Sequence, residues 1–166
     1  MARTLVLLRH AKAEPERDLG DARRPLAAKG RRQAAALGPA LADAVGAVDL
    51  ALVSSALRTT ETFKLLAGGV AVREQTVVDD LYVAGPREVL ALLHGVPEST
   101  GTTLVVGHEP TISHLASMLH DDADDLALQV SLGVPTATAC ILTLRTGWRE
   151  LDRSTAHLTR LLRPDH

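Results

Sequence analysis

Short apolar runs alternate along the chain with longer segments of helical periodicity. Apolar runs of about four to eight residues are typical of strands buried on both faces, and Ala- and Leu-rich stretches with a polar side are typical of helices. We predict strands at 4–8, 48–53, 70–78, 102–106 and 138–144, with 148–151 as a hairpin partner for the last. We predict helices at 26–45, 56–67, 86–93 and from near 110 to 119. Alternation at this spacing favours an α/β fold, a three-layer α/β/α sandwich with a mainly parallel central sheet.

Local signals refine these boundaries. Residues 11–24 are polar and are expected to form a long surface loop, and the acidic run 121–125 is expected to form a second, solvated one. Pro25 suits the first turn of a helix, because that turn leaves its amide groups unpaired in any case. Ser54 and Ser55 are candidate caps for the N-terminus of the second helix.

Composition excludes several classes of function. The chain has 166 residues, of which 46% are hydrophobic and 23% charged, so we expect one globular domain over 1–166. Aromatic residues make up only 2% and the net charge is −2, which argues against nucleic-acid binding. No apolar run approaches the roughly 18 residues that span a bilayer, and the N-terminus does not resemble a signal peptide. We expect a cytoplasmic monomer with no membrane partner.

The sequence offers little to bind a metal. Cys140 is the only cysteine, so an intramolecular disulfide is impossible and a cysteine-based zinc site is unsupported. His114 and His120 follow His108 by six and twelve residues, which is not the spacing of a helical metal pair. We expect Cys140 to be a core residue, and no bound metal.

Charged residues follow the predicted strands at the points where these strands end. Ligands of open α/β sheets bind beyond the carboxyl ends of the parallel strands, so these side chains are expected to share one edge of the sheet. In strand order they are Arg9 and His10, then Arg58, then Asp79 and Asp80, then His108.

This set of side chains is suited to phosphoryl transfer. Arg9 and Arg58 can bind phosphate oxygens through planar guanidinium groups that stay charged at any pH. A neutral imidazole is a competent nucleophile towards phosphorus, and flanking arginines should lower its pKa and keep it neutral. A second, protonated histidine can stabilise charge on the transferring group. No Gly-rich Walker-type loop is present, so nucleoside triphosphate binding of that kind is unsupported.

Four segments resemble motifs of the histidine phosphatase superfamily, also called the phosphoglycerate mutase-like superfamily. Residues 8–11 (LRHA) resemble its Arg-His-Gly signature, and residues 54–62 (SSALRTTET) are similar to its S-x-x-x-R-T-x-E-T segment. Residues 105–110 (VVGHEP) resemble the segment of its second histidine. Residues 24–30 (RPLAAKG) resemble the RPL-x-x-x-G element of the SixA-like branch. The resemblance spans residues 3 to about 145.

The resemblance implies a phosphoglycerate mutase-like fold and a role for each matching residue. His10 is the expected nucleophile, which becomes a phosphohistidine that water then hydrolyses. Arg9, Arg58 and His108 are expected to form the phosphate pocket, with a further donor from the backbone N–H of Glu109. The resemblance implies no metal or other cofactor.

Two of these residues have ordinary structural explanations when each is taken singly. His10 could be a buried structural histidine at a strand end. Arg58 could pair with Glu61, three residues further along the helix surface. The occurrence of the motif segments together favours catalysis over both explanations.

The sequence departs from the family at two points. Ala11 replaces the glycine of the signature, so the backbone there does not need a positive φ. Many relatives place a glutamate after the third strand to protonate the leaving group, whereas Asp79 and Asp80 are the only carboxylates here. Either aspartate is a candidate general acid, or the enzyme uses a weak acid or none. A phosphohistidine substrate tolerates this, because its leaving imidazole is easily protonated.

The expected function is a metal-independent phosphatase whose preferred substrate is a phosphohistidine protein. The chain between the second helix and Asp80 is too short for a lid, so we expect an open pocket suited to a residue on a protein surface. A phosphatase of small phosphate esters or nucleotides is the first alternative. A phosphate-binding module without turnover is the second, and the presence of His10, Arg9, Arg58 and His108 argues against it.

Overall fold

A six-stranded sheet covered by helices on both faces forms the centre of the molecule in the computed structural model, which describes residues 2–164. The strands are β1 (Thr4–Arg9), β2 (Val48–Ser54), β3 (Val72–Val78), β4 (Thr102–Gly107), β5 (Ala139–Leu144) and β6 (Ala156–Leu162). The helices are α1 (Ala28–Val45), α2 (Leu57–Leu66), α3 (Pro86–His94), α4 (Thr111–Leu119) and α5 (Asp125–Ser131).

The strands follow the order β3-β2-β4-β1-β5-β6 across the sheet. The first four strands of that order are parallel, and their register sets Arg9 at the end of β1 opposite Gly107 at the end of β4. β5 and β6 add an antiparallel pair beside β1. The predicted α/β fold with a mainly parallel sheet is confirmed.

Alternate residues of β1 face the two helical layers, because successive side chains of a strand point to opposite faces. Leu5 and Leu7 belong to a buried cluster that includes residues of α3, α4 and α5. Val6 and Leu8 belong to a second cluster with residues of α1 and α2. All four side chains are fully buried. This explains why β1 has the continuous apolar run by which the sequence predicted it.

Helix starts differ from the predictions in two places. α1 begins at Ala28 after an N-cap at Ala27, so Pro25 precedes the helix and does not lie in its first turn. Ser54 and Ser55 do not cap α2, whose N-cap is Ala56 without a side-chain hydrogen bond. The hydroxyl of Ser54 instead contacts a histidine of the candidate site, described below.

Gly30, in the segment that resembles RPL-x-x-x-G, has a clear steric reason. A Cβ at this position of α1 would collide with the backbone carbonyl of Lys12. Only glycine lets the helix approach the polypeptide that follows β1 this closely.

The C-terminal third departs most from the predictions. Residues 148–151 form a turn and not a hairpin strand, and β6 is the strand that pairs with β5. Trp148 of this turn is fully buried. The acidic run 121–125 ends in α5, which the sequence pattern did not predict, and the Asp124 carboxylate caps this helix by accepting from the N–H of Ala127. Within residues 2–164, no helix has both the length and the apolar character needed to cross a membrane.

Candidate active site

The carboxyl ends of β1, β2 and β4 bring His10, Ser54 and His108 together. The centroids of the two imidazole rings are 5.5 Å apart. The Ser54 hydroxyl lies 2.7 Å from Nε2 of His108. The two histidines are 98 positions apart in sequence, and parallel pairing of β1 with β4 explains their contact.

His10 is held in one ring orientation. Its Nδ1 lies 2.7 Å from the carbonyl oxygen of Ala11, and the Ala11 N–H donates to the Thr62 hydroxyl at 3.0 Å. A carbonyl oxygen can only accept, so the proton of the neutral ring lies on Nδ1. The lone pair of His10 is therefore on Nε2.

Both histidines are neutral near pH 7 in this structure. Burial, followed by the charges of Arg58 and Arg9, lowers the pKa of His10 to about 4, against the opposing effect of its bond to Ala11. Burial, followed by the charge of Arg58, lowers the pKa of His108 to about 4 as well. For His10 the predicted lowering of the pKa is confirmed, with burial as its largest cause and the arginines as smaller ones. The expectation of a protonated second histidine is wrong for this structure, because burial and the charge of Arg58 keep the ring of His108 neutral.

Arg9 and Arg58 each use part of their guanidinium group to bond to the protein. Arg9 donates from Nη1 to the carbonyl of Val134 at 2.8 Å. Arg58 donates from Nη1 to the backbone oxygen of Asp21 at 2.9 Å and from Nη2 to its carboxylate at 3.1 Å. The Nε atoms of both arginines are buried without a partner in the structure.

Unpaired buried polar atoms are concentrated at this site. Within residues 2–164, five buried side-chain polar atoms lack a partner. Three of them are Nε of Arg9, Nε of Arg58 and Nδ1 of His108. Buried polar atoms are nearly always hydrogen-bonded in native proteins, so three neighbouring exceptions indicate a place where a ligand supplies the acceptors.

Asp21 and Tyr82 belong to the site although the sequence did not predict them. Asp21 lies in a 3-10 turn (Asp21–Arg23) of the 11–24 loop, and its carboxylate accepts from the Tyr82 hydroxyl and from Arg24. The Tyr82 ring meets the His108 ring edge to face, with centroids 5.8 Å apart, and the Arg58 guanidinium lies 5.9 Å from its centre. The hydrogen bond from Tyr82, together with those from Arg24 and Arg58, holds the pKa of Asp21 well below its usual range.

Asp79 and Asp80, the candidate general acids, are not bonded to the other site residues in the described part of the chain. They begin the 3-10 turn Asp79–Tyr82 that follows β3, and both are exposed. In the described residues, neither has a hydrogen bond or an ion pair to the histidines or arginines of the site. The turn reaches the site through Tyr82 instead. The assignment of the general acid to Asp79, to Asp80 or to neither stays a prediction.

Glu109 has a structural role through its carboxylate. One oxygen accepts from the N–H of Ser113 at 2.7 Å, and the other accepts from the N–H of Val134 at 3.0 Å. These bonds join the start of α4 to the segment whose carbonyl binds Arg9. The backbone N–H of Glu109 has no acceptor among residues 2–164, and its predicted use as a phosphate donor stays a prediction.

Other residues considered as candidates lie outside the site. Glu61 accepts from the N–H of Leu26 and pairs with Arg31, so it is not the partner of Arg58. His114 is exposed on α4. Cys140 is fully buried in the core, as predicted, and burial raises the pKa of its thiol to about 12.

One group of potential metal ligands occurs within the described part of the chain. Atoms of His120, Asp121 and His157 lie within 4.8 Å of one another. Both nitrogens of His120 already have partners, because Nε2 contacts Asp124 and Nδ1 accepts from the N–H of Leu158. Asp121 binds His157 and an arginine. The group is therefore explained as a hydrogen-bond network that joins β6 to the loop after α4.

The sheet order and the pair of histidines at its carboxyl edge define an α/β protein of the phosphoglycerate mutase-like class. Residues 5–82 match the family described as the histidine phosphatase superfamily (branch 1). An uncharacterized protein of Mycobacterium leprae is 32% identical over 157 residues, which cover 91% of this chain and 96% of the other. The chain belongs to the histidine phosphatase superfamily.

Solved structures agree with this assignment. A candidate phosphohistidine phosphatase SixA from Nakamurella multipartitia superimposes with a TM-score of 0.85 at 33% identity, covering 99% of this chain and 97% of the other. A protein histidine phosphatase SixA complexed with tungstate gives a TM-score of 0.79 at 19% identity, covering 97% of each chain, and shares the fold. Family and fold together indicate a phosphatase of the SixA-like branch, which is an enzyme that removes phosphoryl groups by hydrolysis.

Proposed function

We propose that this protein is a metal-independent phosphatase that forms a phosphohistidine on His10 and acts on phosphohistidine in proteins. The observation that supports it best is the trio of unpaired buried nitrogens, on Arg9, Arg58 and His108, around a histidine whose free lone pair is on Nε2. The oxygens of a phosphoryl group can accept the hydrogen bonds that these nitrogens do not make within the protein. Two guanidinium groups also supply the positive charge that a metal would otherwise provide.

The reaction then proceeds in two displacements at phosphorus. In the first, Nε2 of His10 forms a bond to phosphorus while the bond to the leaving group breaks, and the leaving group takes up a proton. In the second, water attacks the phosphohistidine, the P–Nε2 bond breaks, and inorganic phosphate leaves as His10 regains its neutral form. The Nδ1–H bond to the Ala11 carbonyl keeps Nε2 directed at phosphorus throughout.

His108 is proposed to bind the transferring group through Nδ1. When the Ser54 hydroxyl donates to Nε2, the proton of the neutral ring is on Nδ1, the atom that lacks a partner. This proton can be donated to a phosphoryl oxygen even though the pKa of His108 is about 4 in this structure. The negative charge of a bound phosphoryl group raises the pKa of the ring and strengthens the bond.

The choice of a phosphohistidine substrate rests on the leaving group. An alkoxide needs a strong general acid, whereas a leaving imidazole is easily protonated. Among residues 2–164, neither Asp79 nor Asp80 forms a hydrogen bond or ion pair with a site residue, and both are exposed, which is unfavourable for esters and tolerable for a phosphohistidine. The SixA candidate at 33% identity, described as a phosphohistidine phosphatase, supports the same choice. A single domain over residues 1–166 and a cytoplasmic location complete the proposal.

Phosphate release with EDTA present tests this function. The substrates are phosphohistidine peptides and proteins on one side and a panel of phosphate monoesters and nucleotides on the other. We expect turnover of the phosphohistidine substrates by the wild type, loss in His10→Ala, and no loss in His114→Ala, which alters an exposed histidine. Turnover confined to monoesters or nucleotides would favour the small-ester alternative. Phosphate binding without turnover would favour the binding module.

A further inference from the structure

We propose that a groove beside the site binds the polypeptide that flanks the phosphohistidine, and that it selects acidic and apolar flanking residues. This inference rests on the proposed function and specifies its partner. The groove has a volume of about 480 Å³ and is formed by the loop after β1 and the start of α2. We call it the loop groove, and its main lining residues are Pro15, Arg17, Leu19, Arg23, Arg24 and Leu57.

Residues of the loop groove lie next to residues of the candidate site. Leu57 immediately precedes Arg58, and the same loop supplies Asp21, which binds the Arg58 guanidinium through two hydrogen bonds. Arg24 is close enough to His10 for its charge to lower the pKa of that histidine. A chain that presents a phosphorylated side chain to His10 would therefore place its neighbouring residues along this groove.

Apolar side chains are exposed in the groove. Leu19 is 71% exposed and Leu57 is 37% exposed. Both lie on the lining of one concave surface, so a partner could cover them together. Exposed apolar residues grouped in a groove beside a catalytic pocket are typical of sites that bind another polypeptide.

The charge of the groove lining is locally positive although the chain has a net charge of −2. Three arginines line it, against one acidic residue, Glu14. Arg24 shares the carboxylate of Asp21 with Arg58. Arg17 and Arg23 are exposed, and their side chains have no ion pair among residues 2–164. They are available to acidic side chains of a partner, so the groove complements a chain with both carboxylates and apolar groups near the phosphohistidine.

A pair of phosphohistidine peptides of equal length tests this inference. One has Asp, Glu and Leu around the phosphohistidine, and the other has Lys and Ser at the same positions. We expect the wild type to hydrolyse the acidic, apolar peptide with a KM at least about tenfold lower and a similar kcat. Free phosphohistidine serves as the substrate that reaches the pocket without touching the groove.

Charge and polarity changes in the groove should remove this preference. Two variants change the groove: the single variant Leu19→Glu and the double variant Arg17→Glu/Arg23→Glu. Each should raise the KM for the acidic peptide about tenfold and leave hydrolysis of free phosphohistidine within about twofold of wild type. Leu128→Glu and Arg149→Glu are matched controls, since Leu128 is 65% exposed on α5 and Arg149 is exposed outside the groove. Both controls should retain the preference.

The outcomes distinguish a failure of this inference from a failure of the proposed phosphohistidine phosphatase function. Hydrolysis of both peptides with equal KM, or an unchanged preference in the groove variants, would overturn the groove and leave the phosphohistidine phosphatase standing. Failure of the wild type to hydrolyse either peptide or free phosphohistidine would overturn both. A preference for the Lys peptide, or groove binding of anionic vesicles without an effect on peptide KM, would also contradict the proposal.

Discussion

Arg58 and Asp21 are joined by two hydrogen bonds, one to the backbone oxygen of Asp21 and one to its carboxylate. The pair connects the start of α2 to the loop after β1, two segments that the sequence separates by 37 positions. The bonds fix the outer nitrogens of Arg58 and leave its Nε without a partner. Asp21 thus orients Arg58, the proposed phosphate-binding arginine, while placing a negative charge beside the proposed phosphate pocket.

This arrangement predicts an unusual effect of Asp21→Asn. The amide oxygen can still accept from Arg58, but the charge that repels phosphate is gone. We expect inorganic phosphate to inhibit the variant at a concentration about threefold lower than the wild type, in line with the modest strength of partly exposed charge interactions. Product-inhibition kinetics measure this directly.

Asp122→Asn provides the control for Asp21→Asn, since it removes an exposed aspartate from a different loop. Its inhibition constant for phosphate should match that of the wild type. Weaker phosphate inhibition in Asp21→Asn would show that the carboxylate acts mainly by holding Arg58 in place, against the prediction.

Ser54→Ala should impair catalysis without unfolding the protein. The hydroxyl lies 2.7 Å from Nε2 of His108, and when it donates to that atom the proton of the neutral ring is on Nδ1, as proposed above. We expect kcat to fall about tenfold, the lower end of the losses caused by removing the hydrogen-bond partner that orients a metal-ligating histidine. Nitrogen NMR shifts of His108 should show a mixture of the two tautomers. Ser55→Ala, at an exposed neighbour, should change neither quantity.

Thr62→Val tests how the backbone after His10 is held. The Thr62 hydroxyl accepts from the N–H of Ala11 and donates to the carbonyl of Arg58, and it is fully buried. The nearly isosteric change leaves a buried amide unpaired, so we expect a loss of about 1–2 kcal/mol in unfolding free energy. Thr60→Val removes a hydroxyl bond to Leu57 near the surface and should cost less than about 0.5 kcal/mol. Equal losses in the two variants, measured by denaturant titration, would contradict this role.

The two site histidines predict how stability depends on pH. Their folded-state pKa values are about 4, whereas the unfolded chain takes up these protons near 6.5. Between those values the unfolded state binds more protons, so the unfolding free energy is highest above pH 6.5 and declines as the pH falls towards 4. His108→Gln should flatten this decline between about pH 6.5 and 4.5. An equally steep decline in the variant, or NMR titration of His10 near 6.5, would contradict the pKa values.

The centre of the site could be predicted because it is close to regular structure. Arg9 and His10 follow a strand with a continuous apolar run, and His108 follows another, so the carboxyl-edge rule is enough to place all three together. The motif around Arg58 added the fourth residue. The main cause of the low pKa of His10 differs from the predicted one. The sequence shows the nearby arginines, but it does not show how deeply the ring is buried.

Asp21 and Tyr82 could not be predicted by the same means. Both lie in 3-10 turns within irregular segments, where hydrophobic periodicity gives no information about direction. An aspartate in a polar loop is usually solvated, and only the folded path of the chain brings this one to Arg58. β6 was missed for a related reason. Its exposed residues do not alternate strictly with its buried ones, and its pairing with β5 shifts register between Ile141 and Leu142.

The central claim is that His10 becomes phosphorylated on Nε2, and rapid acid-free quenching of a single turnover tests it most directly. The enzyme is mixed with a radiolabelled phosphohistidine peptide, denatured in alkali, digested, and mapped by mass spectrometry and label. We predict label on the peptide that contains His10, at Nε2, stable in alkali and lost in acid, and absent from His10→Ala but present in His114→Ala. Label on another residue, or burst turnover by wild type with no labelled intermediate, would contradict the account.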